Sequence, residues 1–237
     1  MKIVAISDTH CSHEALTIPP CDVLIHAGDS TWQGRFFEVR DFLYWMERQP
    51  ATHKIVIAGN HELTLDQSHV KYNPTIREML LGTCKDSIHY LENASVVIDG
   101  VKFYGTPWTP WFHSWAFNGI DDGVPPYTNN PYLRDIFGKV DDDTNVLICH
   151  GPCYGLVDEG GHGNADERLG SVALLRKSQS LKQVRLIVGG HIHEARGVKM
   201  SEDKMYANVA SLDRDYKTIR PPMIFNLDEN GKVTYEQ

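Results

Sequence analysis

Five short apolar runs limit what this chain can fold into, because each one ends by delivering an Asp, Asn or His. Ile3-Val4-Ala5-Ile6 leads into Ser7-Asp8-Thr9-His10, and Asp22-Val23-Leu24-Ile25-His26-Ala27 leads into Gly28-Asp29. Ile55-Val56-Ile57-Ala58 leads into Gly59-Asn60-His61-Glu62, Val146-Leu147-Ile148-Cys149 into His150-Gly151, and Leu186-Ile187-Val188 into Gly189-Gly190-His191-Ile192-His193. Short β-branched runs that stop at turn residues read as buried strands. In α/β proteins the chemistry collects at the carboxyl ends of such strands. Five strand ends can therefore converge on one polar pocket.

The segments between them support an α/β chain with a mixed sheet. Phe36, Val39, Phe42, Leu43 and Met46 have the spacing of a helix with one buried face, so Asp22 to Ala58 reads as a strand, helix, strand crossover. Cys11 to Pro20 reads as a loop with a short helical turn, and Thr75 to Leu81 as a second helix stopped at Gly82. Ser95 to Ile98 and Val101 to Tyr104 flank Asp99-Gly100, the signature of a hairpin. Tyr132 to Val140 and Asp166 to Leu181 read as helices, the latter with Leu169, Val172, Ala173, Leu174 and Leu175 apolar; Gly155 to Gly163 is a glycine-rich loop. Lys204 to Gln237 alternates enough to supply two or three closing strands, with Asn230-Gly231 as a turn.

At 237 residues with no linker-like segment, residues 1–237 read as a single domain. The balance of 23 basic and 31 acidic residues gives a formal charge of -8, which disfavours stable nucleic-acid binding or adhesion to an anionic membrane. Five cysteines without a CxxC pair fit free thiols in a reducing compartment. Met1-Lys2 leads straight into the first strand, and no apolar stretch approaches the ~18 residues of a membrane span. A cytoplasmic protein is the expectation.

The candidate site residues are Asp8, His10, Asp29, Asn60, His61, His150, His191 and His193. Carboxylate, imidazole and one amide oxygen, without thiolates, suit divalent Mn, Fe, Zn, Ni or Co, with Mn favoured, rather than a structural zinc site. Seven ligands and a residual histidine are what two ions sharing one carboxylate require. Residues i and i+2 at a strand end point the same way, so Asp8 with His10, and His191 with His193, are expected to present paired ligands. Glycines before Asp29, Asn60 and His191 are expected to let the backbone turn where a Cβ would crowd.

The order D-x-H, G-D, G-N-H-E, H-G and G-H-x-H, from Ile3 to about His193, resembles the calcineurin-like metallophosphoesterase superfamily. Ile6-Ser7-Asp8-Thr9-His10, Gly105-Thr106-Pro107-Trp108, Trp115-Ala116-Phe117-Asn118 and Gly190-His191-Ile192-His193-Glu194 are similar to its branch of metallophosphoesterase-domain (MPPED, or 239) proteins, with the similarity running towards Asn208-Val209-Ala210-Ser211. The resemblance implies a four-layer α/β/β/α sandwich of two mixed sheets flanked by helices. It also implies that Asp8, His10 and His193 hold one metal, that Asn60, His150 and His191 hold the other, and that Asp29 bridges them. His61 would stand just outside, near the phosphate.

Two cations about 4 Å apart can clamp a phosphate ester, turn a bridging water into hydroxide at neutral pH and neutralise the transition state. Protonated His61 would assist the leaving oxygen, a step worth roughly 10²- to 10⁴-fold. The expected enzyme is a dinuclear-metal phosphodiesterase, with cyclic nucleotides or similar small diesters as its substrate class. The alternatives are a phosphomonoesterase or nuclease, or a metal-bound scaffold with negligible turnover. Gly105 to Asn118 carries three of the five tryptophans. It is either an aromatic wall beside the site or a loop held down by its own rings. His13 and His113 lie in loops near motifs and are secondary candidates for substrate contact.

Overall fold

The computed structural model describes residues 1–83, 87–125, 129–160 and 167–236. Cys84, the segment Gly161 to Gly163 and the expected helix start at Asp166 lie outside the described residues. The elements in chain order are β1 (Lys2–Ile6), β2 (Cys21–Ala27), α1 (Phe36–Glu47), β3 (Ala51–Ile57), α2 (Pro74–Thr83), β4 (Ile88–Tyr90), β5 (Ala94–Ile98) and β6 (Val101–Thr106). They continue with β7 (Thr109–Pro110), β8 (Asn118–Gly119), α3 (Leu133–Phe137), β9 (Val146–Cys149), α4 (Val172–Ser180), β10 (Leu186–Gly189), β11 (Gly197–Ser201), β12 (Lys204–Asn208), β13 (Met223–Leu227) and β14 (Val233–Glu236).

Two six-stranded sheets carry the architecture, in the orders β14-β13-β1-β2-β3-β4 and β11-β12-β10-β9-β6-β5. In the first, β1 to β4 run parallel, β13 lies antiparallel beside β1, and β14 lies antiparallel beside β13. In the second, β12, β10, β9 and β6 run parallel, with β11 and β5 antiparallel at the edges.

The central parallel strands are largely apolar because both faces are covered. In β1, Ile3 and Ala5 face the second sheet, among Ile25, Ile57, Phe103, Ile148, Leu186 and Val188. Val4 and Ile6 face the other way, onto Phe42, Leu43 and Met46 of α1 with Ile76 and Leu80 of α2. On the far side Leu147, Cys149 and Ile187 meet Leu133 and Phe137 of α3 and Leu174 of α4. The result is helices, sheet, sheet, helices. Burying both strand faces at roughly 25 cal/mol per Å² of apolar area makes this interior the main source of stability.

Three helix expectations need correction: α2 runs over Pro74–Thr83, through the Gly82 expected to stop it. The helix expected over Asp166 to Leu181 starts at Val172, because Ser171 accepts a bond from the Leu174 amide and caps it, leaving Leu169 outside and 36% exposed. α3 covers only Leu133–Phe137 of the Tyr132 to Val140 segment. The strand β11 was not legible, since Gly197, Lys199 and Ser201 give it no apolar run. No helix among the described residues is long and apolar enough to cross a membrane.

Candidate metal centre

The parallel strands bring all five ligand-bearing ends to one seam between the sheets. The Asp8 amide donates to the Gly28 carbonyl at 2.9 Å and the Gly190 amide to the His150 carbonyl at 2.8 Å. The Ser211 amide donates to the Ser7 carbonyl at 2.8 Å, joining the end of the second sheet to β1 of the first. The sheets are thus stitched together at the point where the polar side chains emerge.

The paired spacing of the motifs works differently from the strand expectation. Asp8, His10, Asp29 and His191 have φ of 52°, 39°, 55° and 68°, so they lie in the left-handed region and not in continuing strand. Non-glycine residues adopt that region at a cost, and here they cluster at one site. His191 and His193 consequently separate, each to a different group.

The groups are explicit. One ring nitrogen or carboxylate oxygen from each of Asp8, His10 and His193 lies within 4.8 Å of the others, as it does for Asp29, His150 and His191. A third set, His10, Asp29 and His61, meets the same limit. Asp29 joins the sets: its Oδ2 is 3.8 Å from His10 Nε2 and 3.3 Å from His150 Nε2. Its other oxygen, Oδ1, accepts from the His61 amide at 2.9 Å. Asn60 Oδ1 is 2.9 Å from His150 Nε2, which places the amide oxygen in the second group.

The ring orientations are set from behind. His150 Nδ1 lies 3.0 Å from the Ala27 carbonyl and His193 Nδ1 3.0 Å from the Asp213 carbonyl, so each ring donates outward and turns Nε2 inward. The His191 amide donates to both Asp8 oxygens at 3.0 Å, and the Ser7 hydroxyl donates to Oδ2. A Cβ at Gly190 would overlap that carboxylate and hydroxyl. Gly28, at φ +96°, turns where a Cβ would strike the His150 ring. These two positions require glycine.

The residues present fit a pair of divalent cations. His10 is 1% exposed, and neither of its ring nitrogens has a hydrogen-bond partner. An imidazole buried that way is costly unless something takes its lone pair. Asp8 and Asp29 are also buried, yet both titrate low. Burial opposes their charge, but His193 outweighs it at Asp8 and His150 outweighs it at Asp29. Conversely, burial lowers His150, and the charge and hydrogen bond of Asp29 overcome this to push it up to about 9. His10 has no such bond, and burial takes it down to about 4. In the metal-free site the charge of Asp29 is offset by a proton on His150, which cation binding would displace, while His193 Nε2 lies 3.4 Å from Asp8 Oδ1.

A profile of the calcineurin-like phosphoesterase family matches residues 1–195. The chain belongs to the calcineurin-like phosphoesterase family. It is 35% identical to "Metallophosphoesterase domain-containing protein 1" of Homo sapiens, over 95% of this chain and 71% of that protein. A UPF0046 protein of Caenorhabditis elegans is 35% identical over 95% of this chain and 74% of its own length. A segment of "Probable rhamnogalacturonate lyase C" of Emericella nidulans is 34% identical over 83% of this chain, but only 17% of that protein is covered. The two large mixed sheets flanked by helices are those of the metallophosphoesterase fold, whose members use divalent metals in a dinuclear centre.

Around this phosphoesterase centre stand residues to which sequence reasoning gave no role. Glu62, 2% exposed, accepts from the amides of Gly59 at 2.7 Å, Asp29 at 3.1 Å and Thr31 at 3.0 Å, and from the hydroxyls of Ser30 and Thr31. It ties the loop after β2 to the loop after β3. Its signal was its place in Gly59-Asn60-His61-Glu62. Asn208 does the same in the second sheet, donating to Ile192 at 2.8 Å and accepting from Ala210. His26, without apparent signal, is fully buried with Nε2 3.0 Å from the Thr9 hydroxyl. Burial takes His26 down to about 3, so it packs as neutral imidazole between Thr9 and Phe42.

His61 lines the cavity over the centre. Its Nδ1 is 2.8 Å from the Trp32 carbonyl, and its ring stacks on Trp115 at 4.1 Å between centroids and 26° between planes. The Tyr216 ring, missed in the sequence because its loop shows no motif, lies 5.0 Å from His10 and 4.9 Å from His193. Both readings of the aromatic loop hold in part. Phe117 is buried and Trp108 half-buried, whereas Trp111 and Phe112 are exposed on the cavity over the centre. His13 is buried against Phe42 and Trp45, and His113 does not line that cavity, so neither of these secondary candidates reaches the site.

Two outcomes are expected. At neutral pH His150 of the metal-free protein carries a proton, so cation binding must displace it. Affinity for Mn²⁺ should rise with pH up to about 9, by about tenfold per unit for each proton released, and then level off. Calorimetric titration in buffers of different ionisation enthalpy checks this, and pH-independent affinity without proton release would contradict it. Glu62→Ala strips a carboxylate from five buried donors and should lower unfolding free energy by about 3 kcal/mol or more in urea. A loss below about 1 kcal/mol would remove Glu62 from this role.

Proposed function

We propose that this phosphoesterase is a phosphodiesterase acting on small diesters, with cyclic nucleotides as the favoured class and two divalent ions, Mn²⁺ foremost, as its cofactors. In this reading Asp8, His10 and His193 hold one ion, Asn60, His150 and His191 hold the other, and Asp29 is shared. The observation that carries it is Asp29 Oδ2, placed between His10 Nε2 and His150 Nε2 while Oδ1 is tied to the His61 amide. The cations would supply Lewis acidity toward water and the phosphoryl oxygens. The free thiols among the described residues, Cys11, Cys21, Cys149 and Cys153, accord with action in a reducing cytoplasm.

The protein's own groups divide the remaining work. The Trp32 carbonyl accepts from His61 Nδ1, leaving Nε2 to meet the substrate, and the stacked Trp115 ring fixes the imidazole plane. His61 then donates a proton or hydrogen bond to the leaving oxygen. Asp29 and Asn60 act by position, holding their oxygens where the ions would sit. A diester is favoured over a monoester because the cavity above the centre, about 580 Å³, has room for groups on both sides of the phosphorus.

Chelator-stripped protein should hydrolyse bis(p-nitrophenyl) phosphate only after Mn²⁺ is added, and p-nitrophenyl phosphate more slowly. Asp29→Ala should lose at least about 100-fold in kcat together with metal. His61→Ala should keep both ions by metal analysis and lose roughly 10²- to 10⁴-fold in kcat. Metal lost from His61→Ala would make His61 a ligand. Faster monoester cleavage would move the reading to phosphomonoesterase.

A further inference from the structure

The cavity over the metal centre is far larger than a phosphate, at about 580 Å³, and beyond the ligand side chains much of its wall is apolar. Trp111, Phe112 and Tyr154 line it together with Val124 and Leu169. These five remain between 36% and 51% exposed, so they contribute little to the core. Trp111 and Phe112 come from the loop between β7 and β8, Tyr154 from the loop after β9, and Leu169 from the turn before α4. Large apolar side chains left open in one concave site, gathered from separate loops, mark a ligand surface.

Beyond the candidate ligands, the charged residues of the lining are three carboxylates, Asp121, Asp122 and Glu194, against two cations, Arg168 and Arg214. Arg168 donates to Asp158 at 3.2 Å and pairs with Glu159. Asp121 accepts from the Ser171 hydroxyl and the amides of Val172 and Ala173 at the start of α4. Asp122 pairs with Arg176 at 2.5 Å and lies 3.8 Å from Arg134. Glu194 adds an exposed carboxylate. This lining disfavours a second phosphate and suits an uncharged group.

We infer that the groove is a binding site for a flat, uncharged aromatic ring carried on one alcohol arm of the phosphoester, held between Trp111, Phe112 and Tyr154 on one hand and Leu169 on the other. The inference rests on the two-metal reading above and adds to it the substrate feature that the protein selects. Ring stacking and burial of apolar area supply the discrimination, while the phosphate supplies the anchor. Esters with a small alkyl arm would leave the groove in contact with water.

The test is calorimetric binding of two non-hydrolysable ligands, methylphosphonate and (1-naphthyl)methylphosphonate, to the Mn²⁺-loaded protein, beside diester turnover. The naphthyl ligand should bind at least about tenfold more tightly. In Trp111→Ala and in Leu169→Ala, both exposed loop positions, that ratio should fall to within about threefold of unity. Equal affinities in the unaltered protein, or a ratio unmoved in both variants, overturn the groove assignment while diester turnover persists. Failure of both phosphonates to bind, with no diester turnover, overturns the two-metal reading and the groove with it.

Discussion

Two carboxylates and three imidazoles, Asp8, Asp29, His10, His150 and His193, are at most 5% exposed at the seam between two sheets, and much of the structure answers to that burial. Isolated, each charge would carry a desolvation penalty of several kcal/mol. Here protonated His150 compensates Asp29, and Asp8 lies 3.4 Å from His193 Nε2 while accepting from the Ser7 hydroxyl and the His191 amide. His10 is the exception, buried beside them with no hydrogen bond to either ring nitrogen. A seam of this kind is poorly satisfied as protein alone and well matched to cations.

Holding such a set demands rigidity from residues that never face a substrate. Glu62 collects donors from two loops, Asn208 fastens the turn that carries His191 and His193, and the carbonyls of Ala27 and Asp213 fix two ring tautomers. Arg220 adds a bond to the His193 carbonyl at 3.0 Å. The parallel strands beneath supply stiffness through an interior packed on both faces. Backbone strain at Asp8, His10, Asp29 and His191 is sustained only because of this support.

Much of the fold could be read in advance. Apolar runs three or more residues long, ending in ligand types, placed β1, β2, β3, β9 and β10, and Asp99-Gly100 placed the turn between β5 and β6. Strands such as β11, lacking an apolar run, could not be seen that way, nor could α4's start, which a serine cap decides rather than the apolar pattern. Within the site, the sequence named the side chains that the structure gathers, but not how they are aimed. Left-handed backbone at Asp8 and His191 replaces the strand alternation that their spacing suggests. Tyr216 and Leu169 reach the cavity from loops without motifs, so only three-dimensional proximity brings them into view.

The central claim is that two cations share Asp29, and electron paramagnetic resonance of the Mn²⁺-loaded protein, with metal content measured on the same sample, addresses it most directly. Two manganese ions per chain with the closely spaced hyperfine pattern of a spin-coupled pair are the predicted result. A single ion per chain, or two ions giving only the six-line signal of isolated Mn²⁺, would contradict it.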